Sequence, residues 1–177
     1  MKAMNVYVLT LSKDFPVWHP RAGQPTGFRE KLANASYHVR HPESFEQGEP
    51  HNEDEKYHTL RANYELWRKR FEQIAAGEAC LSIRQWTGKP YASKQVEIAR
   101  LTREDGIGMQ LLCFAGNFSK KDRELHRPIV GGTKEVDYTQ LAMNDGLTIK
   151  DWEDWFSNKD YDLSEPMAII HFTKFRY

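Results

Sequence analysis

The sequence predicts one α+β domain spanning residues 1–177, in which a small mixed β-barrel is flanked by helices. Two observations support this prediction. The chain has 177 residues, of which 40% are hydrophobic and 12% aromatic, so it can bury one substantial core. Strand-like segments follow one another through the second half of the chain, and only some are separated by helix-like segments. This order is typical of a mixed barrel rather than of a doubly wound parallel sheet.

The N-terminal third predicts one strand, one short helix and two irregular stretches. The segment NVYVLTL, residues 5–11, is rich in β-branched and aromatic side chains, and we interpret it as a buried first strand. Residues 12–27 contain three prolines and two glycines, which exclude regular structure. The segment FREKLANA, residues 28–35, is a helix candidate. Residues 36–54 are polar and interrupted by proline and glycine, and we expect a loop insertion there.

A second helix is predicted over residues 63–75. Asn63 is a favourable N-cap, and Gly77 supplies a stop signal. Its apolar side chains recur at helical spacing, and we interpret them as a core-facing stripe rather than as a cofactor contact. These side chains are Tyr64, Trp67, Phe71 and Ile74.

The rest of the chain predicts three consecutive strands, a polar loop, a helix and a final strand. The three strands correspond to EACLSIRQW, SKQVEIARLT and GMQLLCF. The mixed charges of residues 115–132 favour a solvated loop over a nucleic-acid-binding arm. Thr148 is placed to cap a helix that buries Ile149, Trp152 and Phe156. The segment MAIIHFTKFRY predicts the last strand.

Composition narrows the functional classes. The 25 Lys and Arg residues balance 25 Asp and Glu residues, so no global field attracts duplex DNA. No apolar run reaches the roughly 20 residues that span a bilayer, so we expect no membrane partner. Two widely separated cysteines, and a strand-like beginning instead of a leader segment, indicate a reduced, cytoplasmic protein. Common cofactor motifs and metal-ligand spacings do not occur, so we expect no cofactor and no metal.

The stretch EDEKYHTLRANYELW, residues 53–67, gathers reactive side chains immediately before the second helix. Lys56 is a base if burial lowers its pKa, Thr59 is a potential nucleophile, and Arg61 is suited to binding an oxyanion or phosphate. On a straight strand Lys56 and Thr59 would point to opposite faces, so a site requires the backbone to turn between them. The alternative is an exposed strand entry, where these cations pair with the acidic residues at 53–55.

Lys56, Thr59 and Arg61 match the KxxTxR core of the ASCH domains, a branch of the PUA-like superfamily whose fuller signature is GxKxxTxR. The order of the surrounding segments is also similar over most of the chain: FREKLANA, the motif, LAMNDGLTIKDWEDWF and AIIHFTKF. The resemblance implies a PUA-like mixed β-barrel with flanking helices. Asp54 stands at the position of the family's glycine, and the insertion at 36–54 precedes the motif.

The chain resembles in particular the bacterial amidohydrolases of that family, which hydrolyse acetylcytidine. Those enzymes pair the lysine and threonine with a glutamate, and the matching position here is Asp145. The resemblance therefore implies that Lys56, Thr59 and Asp145 are catalytic residues. We expect Arg61 to bind substrate, because a guanidinium can hold an oxyanion or phosphate with two hydrogen bonds. An aspartate is one methylene shorter than the family's glutamate.

A second cluster suggests contacts to a nucleobase. The segment RQWTGKPY places aromatic rings and cations around a turn between two predicted strands, and such side chains stack on bases and bind phosphate or carbonyl groups. An equally supported alternative is that Trp86 only closes one end of the barrel. The cluster consists of Arg84, Trp86, Lys89 and Tyr91.

Three functional classes follow from these residues. The first is an amidohydrolase acting on a modified nucleoside or a similar small amide. The second is a non-catalytic module that binds RNA or nucleotides, with single-stranded RNA as its partner. The third is a protein-interaction domain whose polar cleft is vestigial. Zero net charge favours a small nucleoside-like ligand over a long polyanion, because phosphate neutralisation drives much of the affinity for nucleic-acid chains.

Overall fold

A computed structural model of the protein describes residues 4–40, 54–115, 127–156 and 164–177. The predicted α+β class is confirmed, because these residues form four α-helices and two β-sheets. The helices are α1 (Phe28–Arg40), α2 (Tyr64–Ala75), α3 (Tyr138–Asn144) and α4 (Ile149–Phe156). The strands are β1 (Asn5–Thr10), β2 (His58–Arg61), β3 (Ala79–Trp86), β4 (Gln95–Leu101), β5 (Gly108–Ala115), β6 (Arg127–Val130), β7 (Lys134–Glu135) and β8 (Met167–His171).

The strands are divided between two sheets instead of closing into one barrel. The first sheet has the order β1-β3-β4, with β1 parallel to β3 and β4 antiparallel to it. The second has the order β2-β8-β5-β6-β7, with antiparallel pairing throughout. Helix α2 contacts β3 of the first sheet and both β5 and β8 of the second. Its buried apolar face therefore helps to join the two sheets.

A side chain, and not a strand ladder, joins the ends of β1 and β2. Arg61, the last residue of β2, donates from Nη2 to the carbonyl oxygen of Thr10 over 2.7 Å. Thr10 is the last residue of β1, which belongs to the other sheet. The two strands thus approach each other without exchanging main-chain hydrogen bonds, and this leaves room for a cavity between the sheets.

The first strand is confirmed, but its predicted burial is wrong. Val6 and Val8 are 42% and 41% exposed, whereas Leu9 is buried. The reason is the position of β1 at the edge of its sheet, where it pairs with β3 on one side. An edge strand with one solvated face can carry the same β-branched residues as a central strand, so composition alone does not separate the two.

The two helices with complete local signals are confirmed. Asn63 adopts a left-handed backbone conformation, and its side chain accepts a hydrogen bond from the main-chain N–H of Leu66 at the start of α2. At the start of α4, the hydroxyl of Thr148 accepts from the main-chain N–H of Asp151 over 3.0 Å. Trp67, Phe71 and Ile74 of α2 are buried, as are Trp152 and Phe156 of α4, whereas Ile149 is only partly buried.

Two predicted loops lie partly outside the described residues, and the prediction is wrong for residues 127–130 of the second, which form strand β6. Helix α1 continues through residue 40, so the first part of the expected excursion at 36–54 is helical. Residues 41–53 of that excursion, and residues 116–126 of the expected polar loop, are not among the described ranges. Among the residues that are described, no helix combines the length and the apolar character required to cross a membrane.

A candidate active site between the two sheets

A cavity of about 360 Å³ opens where the ends of β1 and β2 approach each other. The structure brings the three predicted catalytic residues and Arg61 together in its wall. The remaining lining residues come from the end of β1, from β2 and its following loop, and from helices α1 and α4. The full lining consists of Thr10, Leu11, Ser12, Phe28, Lys56, Thr59, Leu60, Arg61, Ala62, Asp145, Leu147, Trp155 and Phe156.

Lys56 reaches the cavity because it lies before β2 and not on it. Strand β2 begins at His58, and residues 55–57 form an irregular segment. The main-chain N–H of Lys56 donates to the carbonyl oxygen of Lys31 in α1 over 3.0 Å, and that of Tyr57 donates to the carbonyl oxygen of Asn144 in α3 over 2.8 Å. Residues 55–57 are not part of a strand, so their side chains do not have to alternate between two faces. Lys56 can therefore point into the same cavity as Thr59.

The end of α3 brings Asp145 against Lys56. The helix ends at Asn144, and Gly146 then adopts a φ of 78°, in the left-handed region that favours glycine. A β-carbon on Gly146 would lie 3.2 Å from Cβ of Lys56 and 3.3 Å from the carbonyl oxygen of Glu55. Glycine adopts this backbone conformation without strain, and its lack of a β-carbon lets the chain pass close to Lys56 and Glu55. Both properties allow Asp145 to lie beside the lysine.

Lys56 and Asp145 form a buried ion pair. The Lys56 ammonium donates to Oδ1 of Asp145 and, over 2.5 Å, to the main-chain oxygen of the same residue. Lys56 is 0% and Asp145 is 3% exposed. The ammonium nitrogen also lies 3.9 Å from the centroid of the Phe28 ring, within the range of a cation–π interaction. The charge is thus held by a carboxylate, a carbonyl and an aromatic face.

Burial dominates the protonation of this pair. Removal from water lowers the pKa of Lys56 from its usual 10.5 to about 8, although the nearby Asp145 carboxylate acts to raise it. Burial likewise raises the pKa of Asp145, with Lys56 opposing the change. A lysine whose pKa is lowered toward neutrality has an appreciable fraction of free amine near physiological pH, as a general base requires.

Thr59 and Arg61 occupy alternate positions of β2 and therefore share one face of the strand. Nη1 of Arg61 donates to Oγ1 of Thr59 over 3.2 Å and to the carbonyl oxygen of Leu60 over 2.9 Å, while Nη2 binds the carbonyl of Thr10. The guanidinium is consequently fixed by the main chain and directed at the hydroxyl. A cation that donates to a hydroxyl oxygen favours its alkoxide form, so Arg61 is suited to activating Thr59.

Aromatic residues from α1 and α4 contribute to the apolar wall of the cavity. Trp155 is partly exposed, and its ring centroid lies 5.9 Å from that of Phe28. Sequence reasoning missed both residues as site components. Trp155 lies three positions after Trp152, at the edge of the predicted apolar face of α4. This helical spacing was the sequence feature from which its position near the core could have been predicted. The chain itself does not indicate that α4 faces the Lys56 segment.

The structure does not bring the second predicted cluster into the cavity wall. Trp86 and Tyr91 lie at the β3–β4 turn with ring centroids 5.4 Å apart, and Tyr91 is 92% exposed. The hairpin adjoins the cavity through hydrogen bonds to its lining residues. The main-chain carbonyl of Arg84 accepts from the N–H of Leu11 over 2.9 Å, and Nε2 of Gln95 donates to the hydroxyl of Thr10 over 3.2 Å. The four residues absent from the lining are Arg84, Trp86, Lys89 and Tyr91.

Comparison with known proteins gives no independent assignment. Family models, curated proteins and solved structures all fail to match this chain. In the described part of the chain, no three His, Cys, Asp or Glu side chains are grouped so that they could hold a metal ion. Any function must therefore be inferred from the side chains of the cavity.

Proposed function

We propose that this protein is an amidohydrolase that removes the acyl group from an N-acylated nucleoside, with acetylcytidine as the first candidate substrate. The observation that carries the proposal is the meeting of Lys56, Thr59 and Asp145 in one cavity, with the lysine and aspartate in a buried ion pair. The ASCH-like KxxTxR motif supports the same assignment. On this proposal the two sheets represent an open variant of the PUA-like barrel.

The chemistry is acyl transfer through Thr59. The neutral amine of Lys56 takes the hydroxyl proton while the threonine oxygen bonds to the acyl carbon. Protonated Lys56 then gives that proton to the amide nitrogen as the carbon–nitrogen bond breaks, which releases the nucleoside and leaves an ester on Thr59. Water attacks the ester by the same route, the carboxylic acid leaves, and the hydroxyl is restored. Asp145 orients Lys56, and Arg61 stabilises the threonine oxygen.

The cavity favours an uncharged nucleoside over a nucleotide. Its volume falls within the lower range of small-molecule sites, which begins at about 300 Å³. Lys56 is engaged by Asp145, and both terminal nitrogens of Arg61 donate to protein oxygens. Trp155 lines the cavity and is partly exposed, so its ring offers a stacking surface for a planar base. The polar groups thus serve the reacting amide, while the aromatic wall binds the ring.

A hydrolysis assay with N-acylated nucleosides, acetylcytidine first, tests this proposal. We expect turnover by the wild type, and we expect Trp155→Leu to raise KM roughly tenfold or more, because a base stacked on an aromatic ring loses about 1–3 kcal/mol when the ring is removed. Trp18→Leu is the matched control, since Trp18 is a surface tryptophan that is 47% exposed and does not line the cavity. Equal KM values in the two variants would contradict base stacking on Trp155.

The pH dependence gives a second expectation. Because neutral Lys56 is the base and its pKa is about 8, kcat/KM is expected to rise with pH through 8 and to level off above it. Only about a tenth of the lysine is neutral at pH 7, so the rise is roughly tenfold. Activity is therefore lost as the pH falls through the pKa. A pH profile that is flat or falls between pH 7 and 9 would exclude Lys56 as the base.

The second candidate function is a non-catalytic module that binds RNA or nucleotides. The neighbouring rings of the partly buried Trp86 and the exposed Tyr91 favour it, because such rings stack on single-stranded bases. An absence of turnover across the whole nucleoside panel, together with RNA binding that Trp86→Ala abolishes, would select this function over hydrolysis.

A further inference from the structure

A buried hydrogen-bond network lies directly behind the candidate active site. Each of the three proposed catalytic residues is adjacent in sequence to a residue of this network. Because neighbouring residues share a planar peptide unit, displacement of one displaces the other. The adjacent pairs are Lys56 with Tyr57, Thr59 with His58, and Asp145 with Asn144.

The hydroxyl of Tyr177 is the centre of the network. It lies 2.9 Å from Nδ2 of Asn144 and 2.7 Å from Nε2 of His58. Nδ2 of Asn144 donates to that hydroxyl, and the His58 tautomer sets which atom donates in the bond between the hydroxyl and Nε2. The main-chain carbonyl oxygen of Asn144 accepts a hydrogen bond from the main-chain N–H of Tyr57. Asn144 and His58 are both 0% exposed, so water does not compete for these bonds.

Further contacts fix Tyr177 in place. Its main-chain N–H donates to Oε1 of Gln110 on β5 over 3.0 Å, and its ring packs 5.1 Å from that of Phe175. Burial raises the pKa of Tyr177 and lowers the pKa of His58 well below 6.5. The phenol therefore keeps its proton and the imidazole stays neutral near pH 7, so the hydrogen bonds of the network persist there.

We propose that Tyr177 is a positioning residue whose hydroxyl holds Asn144 and His58 and thereby fixes Asp145 relative to Lys56 and Thr59. The consequence for catalysis rests on the proposed function, whereas the consequence for the ion pair does not. Groups that orient reactive side chains from behind are commonly needed to hold them within a fraction of an ångström of productive geometry. Tyr177 is far from the motif in sequence and does not line the cavity.

The ionisation of Lys56 reports this positioning. The Asp145 carboxylate raises the pKa of the lysine, while burial and the neighbouring charges of Arg61 and Lys31 lower it. If Asp145 shifts or becomes mobile, the carboxylate raises the pKa of Lys56 less, while burial and the two neighbouring cations still lower it. Loss of the Tyr177 hydroxyl is therefore expected to lower the pKa of Lys56 below its wild-type value.

The test is Tyr177→Phe, which removes the hydroxyl and keeps the ring. We expect the pKa of Lys56, measured by carbon-13 NMR of labelled lysine side chains, to fall by roughly half a unit or more. The Lys56 resonance is assigned by its loss in Lys56→Met, or in Lys56→Arg if the methionine variant does not fold. Turnover of acetylcytidine is compared at pH 9, where Lys56 is mostly neutral in both proteins, and is expected to fall roughly tenfold in kcat, with KM within about twofold of the wild type.

The matched control is Tyr7→Phe, which removes a hydroxyl that donates to Gln73 over 2.8 Å in the β1–α2 contact. Neither the pKa of Lys56 nor kcat is expected to change in this variant. Gln110→Leu is a second test of the same device, because it releases the main chain of Tyr177 without touching the hydroxyl. It is expected to lower the Lys56 pKa as well, and it replaces Tyr177→Phe if that variant does not fold.

The outcomes separate this inference from the proposed function. A lower melting temperature with an unchanged Lys56 pKa in both variants would overturn the positioning role and leave Tyr177 a purely structural residue. If the wild type hydrolyses none of the panel but the pKa falls as expected, the positioning role stands and the proposed function fails. Unchanged kcat alongside a shifted pKa would overturn the catalytic consequence of positioning.

Discussion

Replacement of Thr59 by valine is expected to reduce kcat on acetylcytidine by at least about a thousandfold, because the nucleophilic oxygen is removed and no ester can form. Valine has nearly the same shape, so the cavity keeps its volume. Product affinity is expected to change little, since the hydroxyl acts on the reacting amide and not on the nucleoside ring. The measurements are kcat from the hydrolysis assay and the Kd of cytidine from calorimetry.

Thr59→Ser is the control for this substitution. Serine keeps the hydroxyl that accepts the hydrogen bond from Arg61, so substantial activity is expected to remain. Thermal unfolding of both variants checks that the fold is retained. Wild-type activity in Thr59→Val would show that water attacks the amide directly or that the reacting centre lies elsewhere.

Neutralisation of Asp145 is expected to cost about 3–5 kcal/mol in the free energy of unfolding, because Asp145→Asn leaves the Lys56 ammonium buried without its counter-charge. Lys56→Met is expected to have a comparable cost, since it leaves the carboxylate uncompensated. The double variant removes both charges. Its loss in free energy of unfolding is expected to be smaller than the sum of the losses in the two single variants, by about 2 kcal/mol or more. Urea denaturation of the four proteins measures this coupling.

The matched control is the pair Arg68 and Glu72 on the exposed side of α2, whose side chains are 43% and 60% exposed. A double-mutant cycle with Arg68→Met and Glu72→Gln is expected to give a coupling close to zero, because water and salt screen the exposed charges. A similarly small coupling for Lys56 and Asp145 would mean that water reaches their charges and that the pair is not buried as described.

The buried ion pair is itself an argument for function. Replacing such a pair by apolar residues of similar volume is often neutral or stabilising, so stability alone gives little reason to retain it. A buried lysine with a lowered pKa, held by one carboxylate beside a hydroxyl in a cavity, is instead typical of a catalytic arrangement. A buried charge left without its partner is costly, and for this reason both single substitutions are expected to destabilise the protein strongly.

Local signals allowed part of this fold to be predicted from the chain. Helix α2 has a cap at Asn63, an apolar stripe at helical spacing and a terminating glycine, so its boundaries could be predicted almost to the residue. Helix α4 was found in the same way from Thr148. Helix α3 was missed, because its seven residues form fewer than two complete turns and provide little periodicity.

By itself, the sequence determined the α+β class, the α2 and α4 helices, and the concentration of a lysine, a threonine and an arginine between residues 56 and 61. These properties depend on residues within a few positions of one another, where periodicity, capping and spacing are informative.

Only the tertiary structure decided which distant groups complete the site. It joins Lys56 to the end of α3, directs Arg61 to the carbonyl of Thr10, and places Trp155 in the wall and Tyr177 behind it. It also leaves Trp86 outside the lining and divides the strands between two sheets. The physical reason is that these contacts connect residues separated by about 50 to 120 positions, and their geometry is set by the packing of whole elements.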